Sequence, residues 1–237
     1  MAAEHLTRDA DIAPVAALIA DPTRAAMLNA LLDGRALAAG ELARLAGVSA
    51  ATASSHLAKL LEGRLVEVVS QGRHRYYRLA GHDVAEVLEV LARVSARPAV
   101  RSLRQSRQAR LLEEARTCYD HLAGRAGVAL LDRLRADGHL DGGELTAAGE
   151  RALKLLGVDV DAVRGTRRRF APDCLDWTER RAHLGGALGA ALTDVLFERG
   201  WIARGSIPRA VIVTEEGRRE LFDGKELTSH TPVTQHP

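Results

Sequence analysis

Residues 41–62 read Glu41-Leu42-Ala43-Arg44-Leu45-Ala46-Gly47-Val48-Ser49-Ala50-Ala51-Thr52-Ala53-Ser54-Ser55-His56-Leu57-Ala58-Lys59-Leu60-Leu61-Glu62. Gly47 closes a brief helix, Val48 leads in, and Ser49 offers a side-chain acceptor to cap a second helix from Ala50 to Glu62. The pattern is helix, tight glycine turn, helix. The second helix gathers Ala53, Leu57, Leu60 and Leu61 on one face and leaves Ala51, Ser54, Ser55, Ala58 and Lys59 on or beside the other. That outward face is small and polar, as a helix needs to enter a major groove and present donors and acceptors to base edges. Taken alone it would be an ordinary solvated surface, so its surroundings decide.

Upstream, Ile12 to Ala20 reads as a short helix, and Asp21-Pro22-Thr23 starts another, with Asp21 as N-cap and Pro22 in the first position. This helix runs to Leu32 and ends at Asp33-Gly34. Downstream, Gly63 is expected to stop the reading helix. Leu65–Val69 and Arg75–Leu79 then form strands joined by Ser70-Gln71-Gly72-Arg73-His74, a β-hairpin wing with a basic tip. From Asp83 a helix carries Val84, Val87, Leu88 and Leu91 in one stripe, a candidate dimer seam, and ends near Pro98. The residues that would contact DNA are Ser49, Ala51, Thr52, Ser54, Ser55 and Lys59 on the helix, with Arg73, His74 and Arg75 on the wing, where basic groups meet phosphates or enter the minor groove. His56, beside the packed Leu57, is either a phosphate contact or a half-buried structural residue.

Bulk properties narrow the partner. With 33 basic and 31 acidic residues the net charge is only +2, so any affinity for nucleic acid comes from local placement of charge. Aromatics at 3% disfavour a single-strand binder that stacks bases, leaving duplex DNA open. No export signal stands at the start, and no apolar run approaches the roughly 20 residues of a membrane span, so a soluble cytoplasmic protein with no membrane partner is expected. Two cysteines, Cys118 and Cys174, are too few for a disulfide scaffold.

The second half repeats itself. At an offset of 62, His121-Leu122, Gly124, Gly127, Ala129, Asp132, Leu134 and Gly138 meet His183-Leu184, Gly186, Gly189, Ala191, Asp194, Leu196 and Gly200. Each segment reads as a helix ending in glycine, then a short strand pair, then a helix begun by Thr146 or Thr214, with six extra hairpin residues in the second. The same plan describes His56 to Leu91. The expected fold is therefore mainly α with small β-hairpins (α+β). A winged helix-turn-helix and dimerisation domain occupies residues 1–97. Residues 98–223 hold two degenerate winged-helix-like repeats, about 112–157 and 174–223, and a disordered tail occupies 224–237. The duplication serves either as a core or dimer platform or as the walls of a ligand pocket.

Ala20-Asp21-Pro22-Thr23-Arg24, Glu41-Leu42-Ala43, Val48-Ser49, Ser54-Ser55-His56-Leu57, Leu60 and Gly72-Arg73 with Tyr77 together resemble the ArsR/SmtB family over about residues 12–96. The resemblance implies a homodimeric winged-helix repressor that leaves double-stranded promoter DNA when a metal or other inducer acts. The family's metal positions are not matched. No thiol stands in Glu41–Ala46, and the dimer helix offers His82, Asp83, Glu86 and Glu89 without a second histidine.

Signal input is expected elsewhere. Cys118 and His121, three residues apart and read as one helical face, could chelate a soft ion, and Cys174 with His183 would complete an S2N2 set if the repeats meet face to face. A thiol pair closing to a disulfide is equally open, as are two buried thiols with two hydrogen-bonded histidines. The cofactor is thus a soft metal ion or none. Two other classes stand beside a regulator with no catalytic residues. One is an enzyme with Cys118 as nucleophile, His121 as base and Asp176 as orienter; the other is a protein-interaction module.

Overall fold

Polar caps start two helices of the first unit where the sequence puts them. The computed structural model describes residues 10–96 and 102–223; the boundary expected at Pro98 and the tail from Gly224 lie outside these residues. Helix α1 (Ala13–Ile19) leads to α2 (Pro22–Leu31), where Asp21 Oδ1 accepts the Arg24 N–H at 2.9 Å. The Arg24 side chain reaches back to the Leu18 carbonyl at 2.6 Å, tying the two helices. Strand β1 (Leu37–Ala38) and α3 (Ala39–Ala46) precede a turn at Gly47, whose φ of +67° suits glycine, and α4 (Ala50–Glu62) follows. Ser49 Oγ caps α4 by accepting from the Thr52 N–H at 3.2 Å. Met27, Leu28, Leu31, Leu42, Leu57 and Leu60 are fully buried beneath these helices.

Strands β2 (Val66–Gln71) and β3 (His74–Leu79) form the wing, with Gln71 opposite His74. The five-residue link read from sequence is a two-residue turn, Gly72-Arg73, because Gly72 takes φ +58° and lets both strands run on to the tip. β1 adds to the sheet as Leu37 opposite Tyr77, in the order β1-β3-β2. Gly63 ends α4 as expected, though not by a left-handed turn of its own. It keeps a negative φ, the left-handed residue is Arg64 at +55°, and a Cβ on Gly63 would stand 2.1 Å from Leu18 Cδ1. Helix α5 (His82–Val94) also departs from its reading. Ala85 and Leu88 are buried, while Val87, Val90, Leu91 and Val94 are 46%, 38%, 40% and 77% exposed. The outward stripe is therefore shifted from the expected Val84–Val87–Leu88–Leu91 set. Contacts divide the chain into two units after Leu88, inside α5.

The second unit begins with the C-terminal half of α5 and continues through α6 (Leu103–Glu114), β4 (Arg116–Cys118), β5 (His121–Ala123), α7 (Gly124–Ala136), β6 (Leu140–Asp141), β7 (Glu144–Leu145), α8 (Ala147–Leu156) and α9 (Val160–Arg164). It then runs through β8 (Asp173–Leu175), β9 (Ala182–Leu184), α10 (Gly186–Glu198), β10 (Ile202–Arg204), β11 (Val211–Val213) and α11 (Glu215–Phe222). Helices α7 and α10 have 13 residues each and begin 62 residues apart. Each is preceded by one antiparallel strand pair and followed by another, then by a Thr-capped helix. Thr146 Oγ1 accepts from Gly149 N–H at 3.0 Å and donates to the Gly138 carbonyl at 2.7 Å; Thr214 does the same with Gly217 at 3.0 Å and Gly200 at 2.9 Å. The packing is exchanged, for α7 lies on β9 and α10 on β5. Leu131, Leu134, Leu153, Leu188, Leu196 and Trp201 belong to the core between these layers. Among the described residues no helix is long and apolar enough to cross a membrane.

Candidate functional site

On the first unit the expected DNA-facing residues stand in solvent. Ser49, Ala51, Thr52, Ser54, Ser55 and Lys59 are exposed along one side of α4, as are Arg73, His74 and Arg75 at the wing turn and the start of β3. Ser54 donates its hydroxyl to the Ala50 carbonyl at 2.9 Å, which leaves its oxygen as an outward acceptor. Ser49 and Thr52 share a hydrogen bond of 2.9 Å. His56 is set apart: it is half-buried, with Nδ1 3.6 Å from the Asp21 carboxylate at the cap of α2. That position favours the structural alternative left open for it.

In the second unit Cys118 and His121 do not share a helical face. They face each other across the β4–β5 hairpin, as Cys174 and His183 do across β8–β9. A two-residue turn, with Tyr119 at φ +61°, brings the first pair together; a long connection through Asp176 and Trp177 joins the second. The four ligating atoms lie within 4.8 Å of one another, and the two sulfurs are 3.8 Å apart. The imidazoles stack with centroids 5.1 Å apart and planes 26° from parallel. Cys118, His121 and His183 are buried and Cys174 is half-buried. Helical glycines make the room. A Cβ on Gly189 of α10 would meet His121 Cβ at 3.2 Å, and one on Gly127 of α7 would meet His183 Cβ at 3.5 Å.

Each histidine has a carboxylate on its Nδ1 side. Asp120 stands 3.3 Å from His121 Nδ1 and is itself gripped by Arg168 at 2.6 and 3.2 Å. Asp176, fully buried, lies 3.6 Å from His183 Nδ1, beyond hydrogen-bond length but close enough for electrostatic attraction. It accepts from Arg116 at 2.8 Å, Gly124 N–H at 2.7 Å and the Thr178 N–H at 2.8 Å. The Arg116 guanidinium covers the Trp177 ring at 4.6 Å. Burial opposes the charge on Asp176, yet Arg116 and these donors hold its carboxyl well below the usual range. Burial likewise opposes charge on His121, but Asp120 and Cys174 lift it to about 9. The thiols divide: hydrogen bonding from Cys118 holds Cys174 low, with both histidines helping, while the same bond and burial push Cys118 up. One thiolate between two imidazoles is a donor set for a metal ion. As a nucleophilic site it differs from expectation in geometry, because the carboxylate beside His121 is Asp120, while Asp176 stands beside His183.

A family model described as a helix-turn-helix domain matches residues 19–69. Over 212 residues the chain is 44% identical to the HTH-type transcriptional regulator YdfF of Bacillus subtilis (strain 168), covering 88% of this chain and 94% of that relative. It is 37% identical over 87 residues to the HTH-type transcriptional regulator CmtR of Mycobacterium tuberculosis (strain ATCC 25618 / H37Rv), covering 37% of this chain and 73% of that one. This chain belongs to the ArsR/SmtB family of helix-turn-helix transcriptional regulators. Among solved structures, the regulator is 35% identical to the cadmium metal-sensor CmtR from Mycobacterium tuberculosis, over 37% of this chain and 96% of that one, with a TM-score of 0.31.

Sequence reasoning named the regulator's four Cys and His residues but missed what serves them. Arg168 and Arg116 carried no local signal, being 48 and 60 residues from the carboxylates they pair with. Arg209 was missed as well. Held at φ +68°, it donates to the Thr117 carbonyl at 3.1 Å and pairs with Glu89 on α5, joining the strand that carries Cys118 to that helix.

Proposed function

We propose that this regulator is a homodimeric, sequence-specific repressor of double-stranded promoter DNA, released when an effector acts on the second unit. Residues 1–97 read DNA and dimerise; residues 98–223, two degenerate winged-helix-like repeats, sense the effector through Cys118, His121, Cys174 and His183. The observation that carries the reading is the exposed small polar face of α4, which follows a tight turn at Gly47 and is flanked by the basic wing turn at Arg73. Ser49, Ala51, Thr52, Ser54, Ser55 and Lys59 meet base edges and adjoining phosphates; Arg73, His74 and Arg75 supply phosphate contacts that position α4. Val87, Val90, Leu91 and Val94 form the apolar stripe of α5 on which a second copy packs. Val94 alone is 77% exposed, a state that association would relieve.

Release requires the effector to favour the DNA-incompetent dimer by about 1–3 kcal/mol, roughly 5- to 150-fold in operator affinity. The Glu89–Arg209–Thr117 link supplies a physical route from the cluster to α5. The test is to recover DNA fragments bound by the protein from its source genome and titrate one recovered fragment against a scrambled duplex at several salt concentrations. Tight, salt-dependent and sequence-selective binding by a dimer is expected. Equal affinity for both duplexes, or a monomer at the concentrations that bind DNA, would overturn the reading.

A further inference from the structure

The chemistry of the cluster can be read further than "effector". Two groups that sequence separates by 62 residues, His121 and His183, have Nε2 atoms that are buried and lack a hydrogen bond of good geometry. Leaving a buried imidazole nitrogen unmet costs free energy, so a partner of stated chemistry is called for. The direction in which these nitrogens point is fixed from behind. Asp120 is hydrogen-bonded to His121 Nδ1 at 3.3 Å and Asp176 stands 3.6 Å from His183 Nδ1, so a carboxylate lies on the Nδ1 side of each ring, and the ligating atoms of both rings lie within 4.8 Å of the two sulfurs. A carboxylate behind an imidazole is the arrangement that orients a histidine toward a metal ion.

The separations agree. In a tetrahedral site with zinc–sulfur bonds of about 2.3 Å, two thiolates stand about 3.8 Å apart. The Cys118 and Cys174 sulfurs stand 3.8 Å apart. Two imidazoles bound at about 2.0–2.1 Å and splayed at the tetrahedral angle have ring centres about 5 Å apart, and these rings are 5.1 Å apart. Charge selects among ions. Asp120 is neutralised by Arg168, Asp176 by Arg116 and Glu89 by Arg209. What remains is the two sulfurs and the two rings: to ligate, Cys118 gives its thiol proton and His121 its extra ring proton to solvent, leaving two thiolates and two neutral imidazoles. A divalent cation leaves the buried centre neutral, whereas a monovalent ion leaves it negative in surroundings that penalise net charge.

We infer that Cys118, His121, Cys174 and His183 bind one divalent ion of the zinc class in a closed, four-coordinate S2N2 site that pins the β4–β5 hairpin to the β8–β9 hairpin. The mixed sulfur and nitrogen set suits zinc and its softer congeners and disfavours magnesium or calcium, which take oxygen ligands. With four protein ligands the ion keeps no position for a substrate, so the site holds structure or signals and does no hydrolysis. This deepens the effector reading above and rests on it only in the DNA arm of the test.

The experiment uses the full-length protein, reduced and stripped with a chelator, then titrated with Co2+ as a spectroscopic probe and with Zn2+ in competition. Expected are one ion per chain, the visible absorption of tetrahedral Co2+ with thiolate charge transfer, and protection of both thiols from alkylation that a chelator reverses. Cys118→Ser and Cys174→Ser should each lose the charge-transfer intensity in part and weaken binding by more than the roughly 10- to 100-fold typical of an outer-shell change. If either variant fails to fold, the chelator-reversible protection of the wild-type thiols decides. No stoichiometric Co2+ binding, octahedral Co2+, or thiols alkylated equally with and without metal overturns the site. So does isolation of a Cys118–Cys174 disulfide whose reduced form binds no ion. The DNA arm compares operator affinity of the stripped and Zn2+-loaded protein. A change of about 5-fold or more supports sensing through this site; an unchanged affinity at full occupancy overturns the sensing role while the metal site stands on its own arm.

Discussion

The exposed side chains of α4 that we propose as the DNA-reading face and the side chains of the Cys–His cluster are placed by opposite means. Ser54, Ser55 and Lys59 stand in water on a helix whose other face, Ala53, Leu57 and Leu60, is fully buried, so the fold holds the helix and is indifferent to what it displays. Cys118, His121, Cys174 and His183 face one another inside the second unit, and the two histidines stand against groups that also hold the fold: His183 beside Asp176, and both rings against glycines of α7 and α10. Substitutions should therefore separate binding from stability in the first unit and mix them in the second.

The largest effect expected is on operator affinity. Ser54→Glu with Ser55→Glu places two negative charges against the duplex and should remove the specific part of binding, on the order of 10³-fold or more. Thermal unfolding should move little, because the exposed positions contribute within about 0.5 kcal/mol. Titration of the operator and calorimetry on the same preparation check both halves, and retained affinity in a folded double variant would remove α4 from the reading role.

Next comes the pair of carboxylates behind the histidines. Asp176→Asn leaves Arg116 buried without its counter-charge and should cost about 3–5 kcal/mol in denaturant unfolding. Asp120→Asn, at a half-exposed pair with Arg168, should cost no more than about 1 kcal/mol. Similar losses in the two variants would show that burial does not distinguish these carboxylates.

Glycines give a smaller contrast with opposite signs. A Cβ at Gly189 would stand 2.4 Å from the Leu184 carbonyl oxygen and 3.2 Å from His121 Cβ, so Gly189→Ala should destabilise by about 1–3 kcal/mol. On α3, Gly40 has nothing within 4 Å of such an atom, and Gly40→Ala should stabilise by up to about 1 kcal/mol. Unfolding midpoints of the two variants test this. The smallest effect is at the wing turn. Arg73→Ala should weaken specific and non-specific DNA alike and lower the salt slope by about 1 if one phosphate contact is lost. Loss confined to one base preference would instead make Arg73 a minor-groove reader.

Legibility followed the range of the interactions. Asp21, Gly47 and Ser49 act on neighbours within a few residues, so their roles as cap, turn and cap could be read directly. The wing was found but its turn misjudged, since strands of Leu65–Val69 and Arg75–Leu79 say nothing of whether Gln71 and His74 keep pairing. On α5 Val87 and Leu91 of the expected stripe face outward while Leu88 turns inward with Ala85, because apolar spacing alone cannot tell which of two adjoining apolar faces packs on the fold.

By itself the sequence determined a helix-turn-helix with a named outward face, a second half with a 62-residue internal offset, and four residues able to ligate one ion. Only the tertiary structure decided that those four meet. A Cys and a His three residues apart converge on a helix face or across a two-residue hairpin, and the strand pairing of Cys118 with His121 selects the hairpin. The carboxylates and arginines that orient the histidines were beyond local reading, since Arg116 and Asp176 come together only when β4 and the β8–β9 connection share one buried centre, where neither charge is stable without the other.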